Sequence, residues 1–152
     1  MRSKSFEGMA CSIATTLEAV GDRWAMLVLR DLMLGLSRYD DLRKSTDITN
    51  ATLTDRLRQL EQSGLVERRL YQSGPDRYEY LLTPKGRDLS LVIQALAQVG
   101  DRWRLQQEAQ PPMRFVRAQS GTPLRLALVE EESGRSVPFS ELRVEAGPGA
   151  DD

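Results

Sequence analysis

The chain of 152 residues contains no histidine and a single cysteine. Without histidine there is no imidazole general base, no Ser-His-Asp triad, and little from which to build a zinc-enzyme site. The lone Cys11 excludes an internal disulfide framework and fits a reducing compartment such as the cytoplasm. Apolar runs are short. None reaches the roughly 18 residues of a membrane span. The opening MRSKSFEGMACSIATT lacks the apolar core of a signal peptide. No glycine-rich phosphate loop is present either, so no catalytic constellation is available and an enzyme is not expected.

Excess charge of one sign is also missing. The net charge is −1. Residues 111–152 hold five arginines and seven acids, whereas residues 1–110 hold 16 basic and 15 acidic groups. Any surface that binds phosphate must therefore be a local patch.

What is present is organised around Ile48–Arg69, ITNATLTDRLRQLEQSGLVERR. Leu53, Leu57 and Leu60 recur at i, i+4 and i+7, one buried helical stripe. Thr49 can cap the start and Gly64 can end the helix. The opposite face carries Asn50, Thr52, Asp55, Arg56 and Gln59, short donors and acceptors on a rigid rod of the kind that reads base edges. An ordinary solvated face has the same composition, so the neighbours decide.

Upstream, Ile13, Leu17 and Val20 form a short stripe ended by Gly21. Asp22 can cap the next helix, RWAMLVLRDLML, which is apolar nearly all round. Trp24, Leu27, Val28 and Leu32 are its expected core residues. After Gly35, Ser37 can cap a short helix with Tyr39 and Leu42 inward, and Asp47 marks a turn. A short helix, a tight turn and a polar-faced second helix make a helix-turn-helix. LVERRLYQ and RYEYLLT then read as two strands around SGPD, a hairpin wing with Arg77 at its base. Arginine suits a narrow, electronegative minor groove. Thr83–Pro84 opens a long helix whose stripe is Leu89, Val92, Leu96, Val99 and Trp103. So much apolar surface on a small domain is economically covered by a second copy, or by the chain's own first helix.

The segment Cys11 to Trp103 resembles the HxlR-type winged helix-turn-helix family, relatives of MarR-type bacterial regulators. The match runs through Val20-Gly21-Asp22-Arg23-Trp24, Leu29-Arg30-Asp31-Leu32 and Arg38-Tyr39-Asp40-Asp41-Leu42. It continues in Leu53-Thr54-Asp55-Arg56-Leu57, Leu60-Glu61, Gly64-Leu65-Val66, Tyr78-Glu79-Tyr80 and Leu82-Thr83-Pro84-Lys85-Gly86. The resemblance implies a mainly α fold with a small β-hairpin wing, and a homodimeric, cytoplasmic, bacterial transcription regulator on a palindromic operator. Its double-stranded DNA contacts would come from Arg38, Thr49, Asn50, Thr52, Thr54, Asp55, Arg56, Arg58 and Arg77. The short polar residues would set sequence, and the arginines would set register and salt dependence. Arg68 is either a further contact or a salt-bridged strand residue. The dimer interface would use Ile13, Leu17, Val92, Leu96, Val99 and Trp103.

At Cys11 the family places a cysteine that senses oxidants or electrophiles in some members, while a small unreactive residue is the plainer alternative. A small-molecule effector could sit among Trp24, Met26, Met33 and Trp103, which at helical spacing also suit plain core. Longer relatives end in a knuckle with Cys-Gly and Cys-x-x-Cys-Gly. Here Ser120-Gly121 and Glu130-Glu131-Glu132-Ser133-Gly134 stand at the comparable places, so no metal and no cofactor is expected. The expected layout is a winged helix over residues 11–105 and a short β-rich C-terminal appendage over 113–146. That appendage would be held by Phe115, Leu126, Leu128, Val137 and Leu142, with residues 1–10 and 147–152 disordered. The rival function is a winged helix used only for protein–protein contact, favoured by the near-neutral charge and the acidic tail.

Overall fold

Asp22 fixes the entrance to the buried helix of this protein. In the computed structural model, which describes residues 4–105, 107 and 110–150, its carboxylate accepts the Ala25 N–H at 2.9 Å and so caps helix α2, Arg23–Met33. The preceding helix α1, Ser12–Val20, ends at Gly21 with φ 96°. A Cβ there would be strained, and would fall 2.4 Å from the side chain of Gln59. The buried apolar positions of α2 are Ala25, Val28, Leu29 and Leu32, spaced i, i+3, i+4 and i+7. The helix is one-sided despite its composition. Trp24 and Leu27, both expected in the core, flank this stripe and are only half-buried.

Helix α3, Tyr39–Thr46, starts without the expected cap. Arg38 holds the cap position with no side-chain bond. Ser37 instead places its hydroxyl 3.5 Å from Glu79. Asp40 and Asp41 in the first turn and Arg43 and Lys44 in the last suit the helix dipole. Asp47, left-handed at φ 54°, closes the helix, and a tight turn leads into α4, Asn50–Gln62. Leu53, Leu57 and Leu60 are at most 2% exposed, which is the expected stripe. Burying each contributes roughly 1.5–3 kcal/mol. Gly64, at φ 73°, lets the Leu65 N–H reach back to Leu60 O at 3.0 Å, the Schellman ending the sequence suggested.

Strands β1, Val66–Gln72, and β2, Arg77–Leu82, form the antiparallel wing, with Val66 opposite Leu82 and Leu70 opposite Tyr78. The Thr83 hydroxyl accepts the Gly86 N–H at 3.0 Å and donates to Gly64 O at 2.6 Å. A Cβ on Gly86 would fall 2.0 Å from Leu65 O, so only glycine lets this turn lie against the wing's root. That pinning divides what reads in sequence as one helix. A short α5, Pro84–Arg87, is separated at Asp88 from α6, Leu89–Leu105.

The chain forms two compact units, residues 1–90 with 150–152, and residues 91–149. The second unit holds residues 91–105 of α6 together with the appendage. Gln98 accepts the Leu126 N–H and donates to Leu126 O, both at 2.9 Å. Within that appendage β3, Leu128–Val129, pairs with β4, Ser136–Val137, and Val116 bridges Pro123. The turns at Gly121 and Gly134 have φ 68° and 67°, the left-handed backbone that glycine adopts most readily. Phe115, Leu126, Leu128 and Val137 are half-buried. Leu142, expected with them, is 59% exposed. Of the segments expected to be disordered, residues 1–3 and 151–152 lie outside the described residues. Ser5 and Phe6 are bound to Glu18 at 2.8 and 3.0 Å. These bonds, the backbone one foremost, hold the Glu18 carboxyl below its ordinary range.

Candidate nucleic-acid interface

Helix α4 is held on two flanks, and its third side is open. On one flank the Tyr39 hydroxyl donates to Asn50 O at 3.0 Å and lies 3.2 Å from both Asn50 Oδ1 and Thr54 Oγ1. On the other, the Arg56 guanidinium grips Asp22 with two contacts of 2.7 Å and also touches Asp55. Asp22 thus caps α2 with one oxygen and anchors α4 with the other. Arg56, a phosphate candidate from the sequence, is 24% exposed and engaged in this bridge. Thr49 caps α4, accepting from the Thr52 N–H at 3.2 Å, and donates to the Thr52 hydroxyl at 2.9 Å. Thr52 is half-buried by this arrangement. The exposed face carries Thr49, Asn50, Thr54, Asp55 and Arg58.

Further cations stand on the wing, and Arg38 lies beside it. Arg77 opens β2 opposite Gln72, beside the Ser73–Asp76 turn, so it stands at the tip of the wing and not at its base. The Arg38 guanidinium lies 4.6 Å from the Tyr71 ring, and backbone pairing of Arg38 with Glu79 ties the start of α3 to the wing. Arg68 stacks 4.3 Å over Tyr78. The salt bridge considered for Arg68 belongs to its neighbour Arg69, which meets Glu79 at 2.7 Å. Burial raises the Tyr80 phenol above its ordinary value, so it stays neutral.

A buried helix carrying a short helix, a tight turn, a polar-faced second helix and a two-stranded wing is the winged helix-turn-helix arrangement. A family model described as HxlR-like helix-turn-helix matches residues 19–108. The chain belongs to the HxlR-like helix-turn-helix family. It is therefore a transcriptional regulator of the helix-turn-helix type, a class that binds DNA. Among relatives, the HTH-type transcriptional regulator Rv3095 of Mycobacterium tuberculosis, itself uncharacterised, is 37% identical over 147 residues. The match covers 97% of this chain and 91% of that protein. A candidate transcription factor of Pseudomonas aeruginosa, PA1374, is similar in structure at 39% identity and TM-score 0.63, covering 93% of this chain and 96% of that one. The redox regulator HypR in its reduced form matches at 30% identity and TM-score 0.58, over 64% of this chain and 98% of that one.

The other expected sites of this HxlR-like chain are dispersed. Cys11 sits at the cap position of α1, half-buried, with no side-chain cap bond. Ile13 and Leu17 are 72% and 51% exposed on α1. Leu96, Val99 and Trp103 are 55%, 43% and 64% exposed on α6, where Val92 is half-buried. Of the four residues considered for an effector pocket, Met33 lines a cleft of about 770 Å³ with Leu32, Arg69, Leu82, Pro84 and Arg87. Trp24 and Met26 are half-buried and outside that lining. Among the described residues no helix is long and apolar enough to cross a membrane. Sequence reasoning missed Tyr39 as the brace of α4. Its only signal was a phenol at the start of α3, a side chain long enough to carry a hydroxyl to the next helix.

Proposed function

We propose that the protein is a homodimer that reads a palindromic operator in the bacterial cytoplasm and works by binding, not by turnover. The observation that carries this is the exposed face of α4, held rigid by Tyr39 on one flank and by Arg56 on the other. Rigid placement is what lets short side chains discriminate base edges. Asn50 and Thr54 offer groups for base readout, and Asp55 suits the amino group of cytosine. Thr49 and Thr52 shape the first turn. Arg58, Arg38 and the wing-tip Arg77 serve phosphate. The exposed apolar residues of α1 and α6 support the dimer, since side chains that large at helical spacing are economically covered by a second copy.

Selection of duplex DNA from a random pool tests this reading. Enrichment of an inverted repeat, with half-sites one helical turn of roughly 34–36 Å apart, is the expected result. No enrichment would favour the rival, a winged helix that contacts only protein.

A redox input at Cys11 is a second layer, supported by its half-buried place at the start of α1 and by the likeness to HypR. With one cysteine per chain, peroxide oxidation to a sulfenic acid would be followed by condensation with a small thiol or with Cys11 of the second copy, releasing water. Enrichment is then lost under peroxide in the wild type and kept in Cys11→Ser.

A further inference from the structure

The acids of the C-terminal unit do not neutralise all its arginines. Arg135 pairs with Glu130 at 3.6 Å, and Arg143 pairs with Glu145. Arg114 and Arg125, by contrast, make no ion pair among the described residues. Both line one cavity of about 420 Å³ together with Arg102 of α6. Asp101 is the one acid lining it among the described residues. Arg102, Arg114 and Arg125 are all exposed at the rim of one hollow, where a bound anion would offset their like charge.

The walls of the hollow are built, not incidental. The main chain of Leu124 donates to Phe115 O at 2.8 Å and that of Arg117 to Thr122 O at 2.8 Å, which closes a small hairpin. Gln98 grips Leu126 through both polar atoms of its amide and so fixes that hairpin to α6. Gln94, Gln98 and Asp101 share the α6 face opposite the Val92, Leu96, Val99 and Trp103 stripe. The cavity and the apolar stripe thus use different sides of one helix. Met113 and Phe115, both half-buried, supply apolar lining beside the arginines. A volume of this size lies within the range of small-molecule sites.

We propose that this cavity binds a small amphipathic organic anion, an aryl or alkyl carboxylate. The guanidiniums of Arg102, Arg114 and Arg125 hold its carboxylate, and Met113 and Phe115 cover its apolar body. Guanidinium pairs a carboxylate through two parallel hydrogen bonds. The apolar lining favours an organic anion over bare phosphate or a DNA strand. The site is distinct from the Met33 cleft, and its occupancy does not depend on the DNA reading.

Titration calorimetry of the full chain without DNA tests it, with sodium benzoate and sodium octanoate as probes. Saturable binding of at least one at millimolar concentration is expected. Benzamide or octanol, which keep the apolar body without the charge, should bind at least about tenfold more weakly. Arg114→Gln and Arg125→Gln should each weaken the carboxylate by about tenfold, with unchanged circular dichroism. The comparison of charged and neutral probes on the wild type stands even if a variant misfolds. No saturable binding by either carboxylate overturns the proposal. So does inorganic phosphate binding as tightly as benzoate, which would make this a bare anion site. A reduced salt slope for DNA in both variants, with carboxylate binding unchanged, would assign these arginines to phosphate and overturn it as well.

Discussion

Replacing Arg56 with Ala separates a bracing role from a DNA contact. The guanidinium makes two 2.7 Å contacts to Asp22, and the two side chains are 24% and 31% exposed. That is drier than a surface pair, which contributes about 0–1 kcal/mol, and wetter than a buried one, whose breaking costs about 3–5 kcal/mol. A loss of roughly 1–2 kcal/mol follows, after discounting for solvent screening. On the unit of residues 1–90 this is a fall in Tm of about 4–8 °C per kcal/mol. Asp22→Ala should cost a further ~1 kcal/mol, because it also removes the cap of α2. A double-mutant cycle should therefore return a coupling near 1–2 kcal/mol between the two residues. The assay is urea unfolding of the four proteins, alongside the salt dependence of DNA binding. Arg56→Ala should lower the stability and leave the salt slope as it was. Arg58→Ala should do the reverse, reducing the slope by about 0.9 per protomer, so about 1.8 for the dimer, with little change in stability. An Arg56→Ala protein of wild-type stability with a reduced slope would refute the bracing role and return Arg56 to phosphate.

Other perturbations separate reading, dimerisation and packing. Asn50→Ala should cost about 1–3 kcal/mol on the preferred site and much less on others; equal losses on all duplexes, measured by anisotropy, would remove it from base readout. Val99→Asp with Trp103→Asp should give monomers in sedimentation, since both residues are exposed on α6; an intact dimer would move the interface elsewhere. Gly86→Ala should be strongly destabilising in thermal unfolding, because its Cβ would overlap Leu65 O at 2.0 Å. A wild-type Tm would mean that the turn yields freely.

The winged helix was legible in sequence because its core signals are local. The Leu53, Leu57 and Leu60 spacing, the Thr49 cap and the Gly64 ending are each set by residues within one helix. The boundary residues were harder. Ser37 is a good capping residue, yet its hydroxyl is drawn to Glu79 42 positions away, and no local rule sees that competition. The same holds for Arg56. On a helical wheel it joins the polar face, but Asp22, 34 positions upstream, turns it inward. Composition alone favours Trp24 and Leu27 for the core, whereas the buried side follows the Ala25, Val28, Leu29 and Leu32 spacing. The break at Asp88 depends on contact between Gly86 and Leu65, which spacing along one helix cannot reveal. Arg77 reads as a base residue from its place beside Asp76, while its position at the tip follows from the register with Gln72.

In the proposed complex two copies of α4 read one operator about a twofold axis. Hydroxyl-radical footprinting of the selected duplex tests it most directly. Two protected windows related by a dyad, with centres about 10–10.5 base pairs apart, are expected, and both should vanish together when Val99 and Trp103 are replaced by Asp. A single protected window that persists in the monomeric variant would contradict the claim.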